Sequence, residues 1–134
     1  MIFLLDTNIC VYLIKKRPPE VLRRFDEHAV GDIGISSITA AELYFGVQKS
    51  QHAAQNRQAL ERFLLPLTVV EFGHTAAAVY GRVRASLDRG GTPIGSLDTL
   101  IAAHALGLGL TLVTNNEREF TRVPDLAIEN WASP

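Results

Sequence analysis

The hydrophobic pattern opens with four consecutive apolar residues, Ile2-Phe3-Leu4-Leu5, which stop abruptly at Asp6-Thr7-Asn8. A short unbroken apolar run bounded by polar turn-formers predicts a strand buried on both faces, as in a parallel sheet. Thr7 or Asn8 is then placed to cap the helix that follows, an apolar stretch over Ile9–Lys16 that ends at Lys15-Lys16-Arg17 and Pro18-Pro19. Pro19 or Glu20 opens a second short helix with Val21, Leu22 and Phe25 on one face. Ile33-Gly34-Ile35 repeats the strand pattern and is followed by the capping pair Ser36-Ser37. The next helix holds Leu43, Tyr44, Phe45 and Val47 and carries Glu42 in its second turn. Gln48–Gln58 is polar, and Ala59–Leu65 closes a helical hairpin before Pro66.

Leu67–Val70 predicts a third strand. Over His74–Arg89, Ala76, Val79, Tyr80, Val83 and Leu87 recur at helical spacing. Gly90-Gly91 and Pro93 end that helix. Ser96–Leu106 reads as a mostly apolar helix terminated by Gly107 and Gly109, and Leu110–Val113 as a fourth strand. Thr114-Asn115-Asn116 ends that strand as Asp6-Thr7-Asn8 ended the first. A short segment, Glu117–Phe120, leads to Leu126–Ile128, a predicted edge strand. Strands alternating with helices predict an α/β fold, a three-layer sandwich around a mainly parallel sheet.

Composition narrows the class. The 134 residues suit a single domain over 1–134, and with 47% apolar and 20% charged residues a packed core is within reach. A formal charge of −1 argues against a generally basic nucleic-acid binder while leaving room for a local patch. The single cysteine, Cys10, makes no internal disulfide, so a reducing cytoplasm is expected. Met1 leads straight into a strand without a signal-peptide pattern, and no apolar run approaches a membrane span.

The chemistry lies in four polar clusters at equivalent topological places: Asp6, Glu42, Asp98, and Asn116 with Glu119. Each follows a strand or opens a helix, so right-handed crossovers bring them to one edge of the sheet. Any one of these acids alone has an ordinary structural explanation; Asp98, for example, suits the first turn of a helix. Together, carboxylates gathered without adjacent lysines repel one another, and a divalent cation is the usual remedy. Carboxylate oxygens with open water positions suit Mg²⁺ or Mn²⁺ rather than zinc. Such a site serves phosphodiester hydrolysis. The four histidines show no metal-ligand spacing. His104 lies about 600° round its helix from Asp98, at 100° per residue, and so points away from that acid.

Leu4-Leu5-Asp6-Thr7-Asn8, the segment from Ser36-Ser37 to Glu42, Asp98-Thr99-Leu100-Ile101-Ala102-Ala103-His104-Ala105, and Val113-Thr114-Asn115-Asn116 with Phe120 resemble the PIN-domain ribonucleases. Among these the chain is similar to the VapC toxins of bacterial toxin–antitoxin pairs, over essentially its whole length to Glu129-Asn130-Trp131. The resemblance implies a three-layer PIN sandwich with a helical hairpin. It also implies that Asp6 and Asp98 ligate metal, that Glu42 ligates or positions water, and that Thr114 supplies a hydroxyl beside the fourth strand. Asn116 stands where many members carry a further aspartate, and Glu119, one helical turn on, restores the charge. The implied mechanism is in-line attack by metal-activated water. The implied partners are an RNA substrate, tRNA first among the candidates, a small antitoxin of VapB type, and a second copy in a homodimer. The Leu43-Tyr44-Phe45 run, apolar nearly all round its helix, is the expected seat of a partner segment.

Cations expected to guide RNA are Lys15, Lys16 and Arg17, and Arg82, Arg84 and Arg89, with Arg84 foremost because it lies near the loop leading to Asp98. A receiver-type phosphoacceptor domain fails on the residues: Thr7 and Asn8 follow Asp6, and no lysine occurs after Lys49. A dehalogenase-like phosphatase fails because Asn8 stands where it needs a second aspartate. The alternative that survives is a catalytically inert PIN domain serving as an RNA- or protein-binding module.

Overall fold

A computed structural model describes residues 1–133. Five parallel strands, β1 (Phe3–Leu5), β2 (Ile33–Ser36), β3 (Thr68–Val70), β4 (Thr111–Val113) and β5 (Ile128–Glu129), form one sheet in the order β3-β2-β1-β4-β5. The sheet is wholly parallel, and β1 is central, as a strand of unbroken apolar residues requires. Along β1 the side chains alternate between two cores. Phe3 and Leu5 pack on one side with Ile33, Ile35 and Val113, while Leu4 packs on the other with Leu112.

The first core is covered by α1 (Thr7–Lys15), α2 (Pro19–Asp26), α3 (Ser37–Gln48) and α4 (Ala53–Leu64), the second by α5 (His74–Arg89), α6 (Ser96–Leu108) and α7 (Glu117–Phe120). Helices on both faces make the expected three-layer sandwich, with α3 and α4 as its hairpin. The long amphipathic helix occupies the residues its periodicity indicates, burying Ala76, Val79, Val83 and Leu87.

Several boundaries differ from those the pattern predicts. The cap of α1 is Asp6, not Thr7 or Asn8: its backbone is extended and its carboxylate accepts from Ile9 N at 2.9 Å. Aspartate is as good a cap as the amide or hydroxyl beside it, and Thr7 becomes the first helical residue, its hydroxyl not spent on the cap. Helix α4 begins six residues before the expected Ala59. Gln55, Asn56, Arg57 and Gln58 lie on its solvent side and only Leu60 is buried, so the segment lacks a readable apolar period. Gly107 lies inside α6 rather than ending it; a Cβ there would stand 3.2 Å from Val79 Cγ2, so the glycine lets α5 approach closely. Gly109 is the true cap, in the left-handed region at φ 68°. The last strand is shifted toward Glu129, pairing Leu112 with Ile128 and Val113 with Glu129.

The C-terminal residues fasten across the first core. Trp131 is fully buried, edge-on to Phe3 at 5.3 Å and stacked on His28 at 5.2 Å. Its indole N–H donates to Glu129 Oε1 at 3.0 Å, which Arg24 also approaches at 3.4 Å.

Candidate active site

Because every strand runs the same way, the ends of β1, β2 and β4 open on one edge of the sheet, the usual place for chemistry in an open α/β fold. Asp6 leaves the end of β1 almost wholly buried, at 4% exposure. One carboxylate oxygen caps α1; the other accepts a short hydrogen bond from the Thr114 hydroxyl at the end of β4. Burial pushes the Asp6 carboxyl up and outweighs the bonds from Thr114 and Ile9, with the charge of Glu42 adding to the rise. Thr114 Oγ1 also accepts from Asn116 N at 2.9 Å, so the hydroxyl is fixed from both sides.

Glu42, half-buried on α3, takes a hydrogen bond from Thr7 Oγ1 at 2.7 Å. Asp98, in the first turn of α6, stands beside Glu119 of α7. Its carboxyl is pushed up to about 7, first by burial, then by the hydrogen bond and charge of Glu119, and further by Asp6 and Glu42. Glu119 is held below its usual range because Asp98 keeps the shared proton. Glu119 is anchored in turn: Oε1 accepts from Gly95 N at 3.2 Å and Oε2 from the Asn116 side-chain amide. Asn116 thus aims an acid as well as standing at the end of β4. The structure brings together Asp6, Glu42, Asp98, Asn116, Glu119 and Thr114.

Arg84 is placed differently. Its guanidinium donates to Tyr80 Oη at 2.9 Å and lies 4.0 Å from Asp88, on the exposed side of α5. It shares a cavity of about 90 Å³ with Ser96 and Thr99, which flank Leu97 and Asp98, so it borders the loop to the site without touching the acids. Arg122 is a cation beside the acids: its charge helps lower Glu119, and it donates to Pro93 O at 2.9 Å.

The donor chemistry suits a hard divalent cation. Among the described residues no three His, Cys, Asp or Glu side chains form a ready-made cage. Mg²⁺ seldom uses one, since it takes one or two carboxylates and fills its remaining positions with water and substrate phosphate. The carboxylates of Asp6, Glu42, Asp98 and Glu119, close enough that the others raise Asp98, supply such oxygens.

Two features escaped the sequence reading. Thr7 orients Glu42 across 35 residues of chain. A polar ladder also runs beside the site: Asn130 donates to Asn115 at 3.1 Å and Glu117 at 3.0 Å, and Asn115 donates to Tyr12 Oη at 3.1 Å. The first had a faint signal, a hydroxyl directly after Asp6; the second had none.

The PIN domain family profile matches residues 3–126. The chain is 48% identical over 129 residues to Ribonuclease VapC2 of Haemophilus influenzae, covering 96% of this chain and 97% of that one. The chain belongs to the VapC family of PIN domains. It is 44% identical over 130 residues to the tRNA(fMet)-specific endonuclease VapC of Shigella flexneri, covering 97% and 98% of the two chains. A solved structure of DNA-bound VapBC from Salmonella typhimurium superposes on this PIN domain with a TM-score of 0.93 and 43% identity, covering 98% of each chain. Beside the acidic edge, this PIN domain carries an apolar groove of about 980 Å³ between α1, α3 and α4. Val11, Ile14, Leu43 and Phe45 line it, and Thr7, Glu42 and Leu97 stand at the end nearest the acids. Phe45, 65% exposed, projects at its rim as the apolar run predicted.

Proposed function

We propose that the chain is a metal-dependent endoribonuclease toxin that cleaves tRNA and is neutralised by a small antitoxin of VapB type. The observation that carries this reading is the set of four carboxylates from separate chain segments that meet at one sheet edge, Asp6 beside Thr114, Glu42 beside Thr7, and Asp98 beside Glu119. Kinship with proteins named ribonuclease and tRNA(fMet)-specific endonuclease supports the substrate class, and kinship with a VapBC complex supports the antitoxin. Among the described residues no helix is long and apolar enough to cross a membrane.

In this reading Asp6 and Asp98 hold Mg²⁺ or Mn²⁺, with Glu42 and Glu119 ligating or holding water. When bound, the ion neutralises phosphodiester charge and raises the acidity of the attacking water. The chain's own residues do the rest. Thr114 fixes one oxygen of Asp6, Thr7 fixes Glu42, and Gly95 and Asn116 fix Glu119, so the acids present oriented lone pairs rather than mobile ones. In this reading Glu42 and Glu119 accept a proton from an attacking water, and Arg84 and Arg122 meet flanking phosphates. The apolar groove seats an antitoxin segment that ends beside Glu42, which explains how a small protein silences the site. Light scattering on the co-expressed pair decides whether the toxin is also a homodimer.

The test is cleavage of purified total tRNA with Mg²⁺, with EDTA, and with Asp98→Ala. Cuts that need Mg²⁺ and disappear in both controls establish the reading; cuts that persist in EDTA overturn it. An inert binding module would retain RNA and cut nothing under any of these conditions.

Two further outcomes are expected. Arg84→Ala lowers tRNA cleavage about tenfold, the worth of one charged hydrogen bond to phosphate. Its melting temperature stays within about 2 °C, because the exposed pair with Asp88 is worth little. An unchanged rate removes Arg84 from the site. The second outcome concerns pH. Asp98 binds its proton more tightly folded than unfolded, so the stability it contributes is complete in acid and is lost as pH rises through about 7. Asp6 acts in the same direction and Glu119, in the acid range, in the opposite one. In EDTA, thermal melts therefore fall from pH 6 to 8, and Mn²⁺ offsets the fall by displacing the shared proton. Melts flat across that range would contradict the clustering of the acids.

A further inference from the structure

Helices α3 and α6 each carry one acid of the site, and a single buried hydrogen bond joins them elsewhere. His104 Nδ1 lies 2.8 Å from Ser36 Oγ, with His104 2% exposed and Ser36 fully buried. Ser36 caps α3, and its oxygen already accepts from Ile38 N at 3.0 Å, so its hydroxyl hydrogen is the one available to the imidazole. With Nδ1 as the acceptor, Nε2 carries the proton. Burial holds this imidazole below its usual pKa, in keeping with a neutral ring. The neighbouring bonds complete an interlock. Phe72 N donates to Ser37 Oγ at 3.0 Å, and the Phe72 ring meets His104 edge-on at 5.3 Å.

The spacing gives the bond its consequence. Glu42 lies six residues after Ser36 on α3, and Asp98 lies six residues before His104 on α6. Six residues rise about 9 Å along a helix. Two helices tied at Ser36 and His104 and running in opposite directions therefore bring Glu42 level with Asp98, and Glu42 does raise the Asp98 carboxyl. A slip of one helix along the other would separate the two acids directly. Nothing else described on these helices fixes that register with a directional bond.

We propose that His104 is a positioning residue whose bond to Ser36 sets the register of α6 against α3, and with it the separation of Asp98 and Glu42. The consequence for metal rests on the metal-dependent reading above; the consequence for geometry does not.

The experiment attacks the bond from both sides. Glutamine mimics the Nε2 side of histidine and asparagine the Nδ1 side, so His104→Gln loses the Ser36 bond and His104→Asn keeps an acceptor for it. Ser36→Gly removes the hydroxyl while leaving an acceptable helix start. Mn²⁺ affinity is measured by calorimetry well below each melting temperature, and crystal structures of wild type and variants give the Glu42–Asp98 separation. The expected result is Mn²⁺ binding about tenfold weaker in His104→Gln and Ser36→Gly, the size of effect typical of residues that orient metal ligands. His104→Asn restores most of it, the double variant is no worse than either single one, and the separation of the two carboxylates changes. Folded variants with wild-type Mn²⁺ affinity and unmoved carboxylates overturn the proposal. If the wild type itself binds no Mn²⁺, the metal reading fails, and the carboxylate separation alone decides the role of His104. If His104→Gln does not fold, Ser36→Gly carries the same comparison.

Discussion

Asp6→Asn abolishes tRNA cleavage while leaving the fold intact or more stable. Asparagine caps a helix as well as aspartate does, so the acceptor for Ile9 N survives, while an amide NH2 replaces the oxygen facing Thr114, whose hydroxyl turns to accept from it. What disappears is the charge. A ligand charge worth several kcal/mol to the transition state corresponds to a rate loss of about a thousandfold or more. The buried carboxyl already resists ionisation in the absence of metal, so neutralising it removes a cost from the folded state and the melting temperature in EDTA holds or rises. Cleavage and thermal melts on the same preparation check both halves. A variant that melts as expected and still cuts at the wild-type rate sinks the role of Asp6; one that fails to fold shows that the cap needs the charge.

Trp131→Ala is expected to be the most destabilising single substitution outside the sheet. The indole is wholly enclosed by Phe3 and His28 and tied to Glu129. Emptying such a site costs about 3–5 kcal/mol, a fall in melting temperature of more than about 10 °C for a chain of this size. Trp131→Phe keeps much of the ring and loses only the N–H bond, so it falls much less. Denaturant melts of the three proteins give the order. Equal stabilities would mean that the C-terminal residues only rest on the core. Because Glu129 also holds Thr114 N at 2.9 Å, the alanine variant loosens the edge on which Asp6 depends, and cleavage declines with stability.

The sequence made one kind of information easy to read. Phe3-Leu4-Leu5 with Asp6 at its end, and the regular apolar spacing from His74 to Arg89, are local patterns set by burial. The acids at strand ends and helix starts were placed correctly for the same reason, since parallel topology carries such positions to one edge. Local pattern misled where exposure was nearly complete, as along α4, or where a glycine served packing rather than termination, as at Gly107. It said nothing of bonds whose partners lie 35, 68 or 103 residues apart, such as Thr7 with Glu42, His104 with Ser36, and Asn115 with Tyr12. Arg84 borders the loop to Asp98 as its place in the sequence suggests, while Tyr80 and Asp88 hold it on the outer face of its own helix.

The position of β1 between β2 and β4 has a consequence for synthesis. The first strand to leave the ribosome must wait for β4, and Asp6 must wait for Thr114, before either is complete. Glu119 and the Trp131 fastening come later still, and long-range pairing of this kind forms late in folding. A nascent chain therefore carries its first acid, then its second and third, without an assembled cutting edge until nearly all of it has emerged. Whatever chemistry this edge performs is thus withheld until the last strands have joined the sheet.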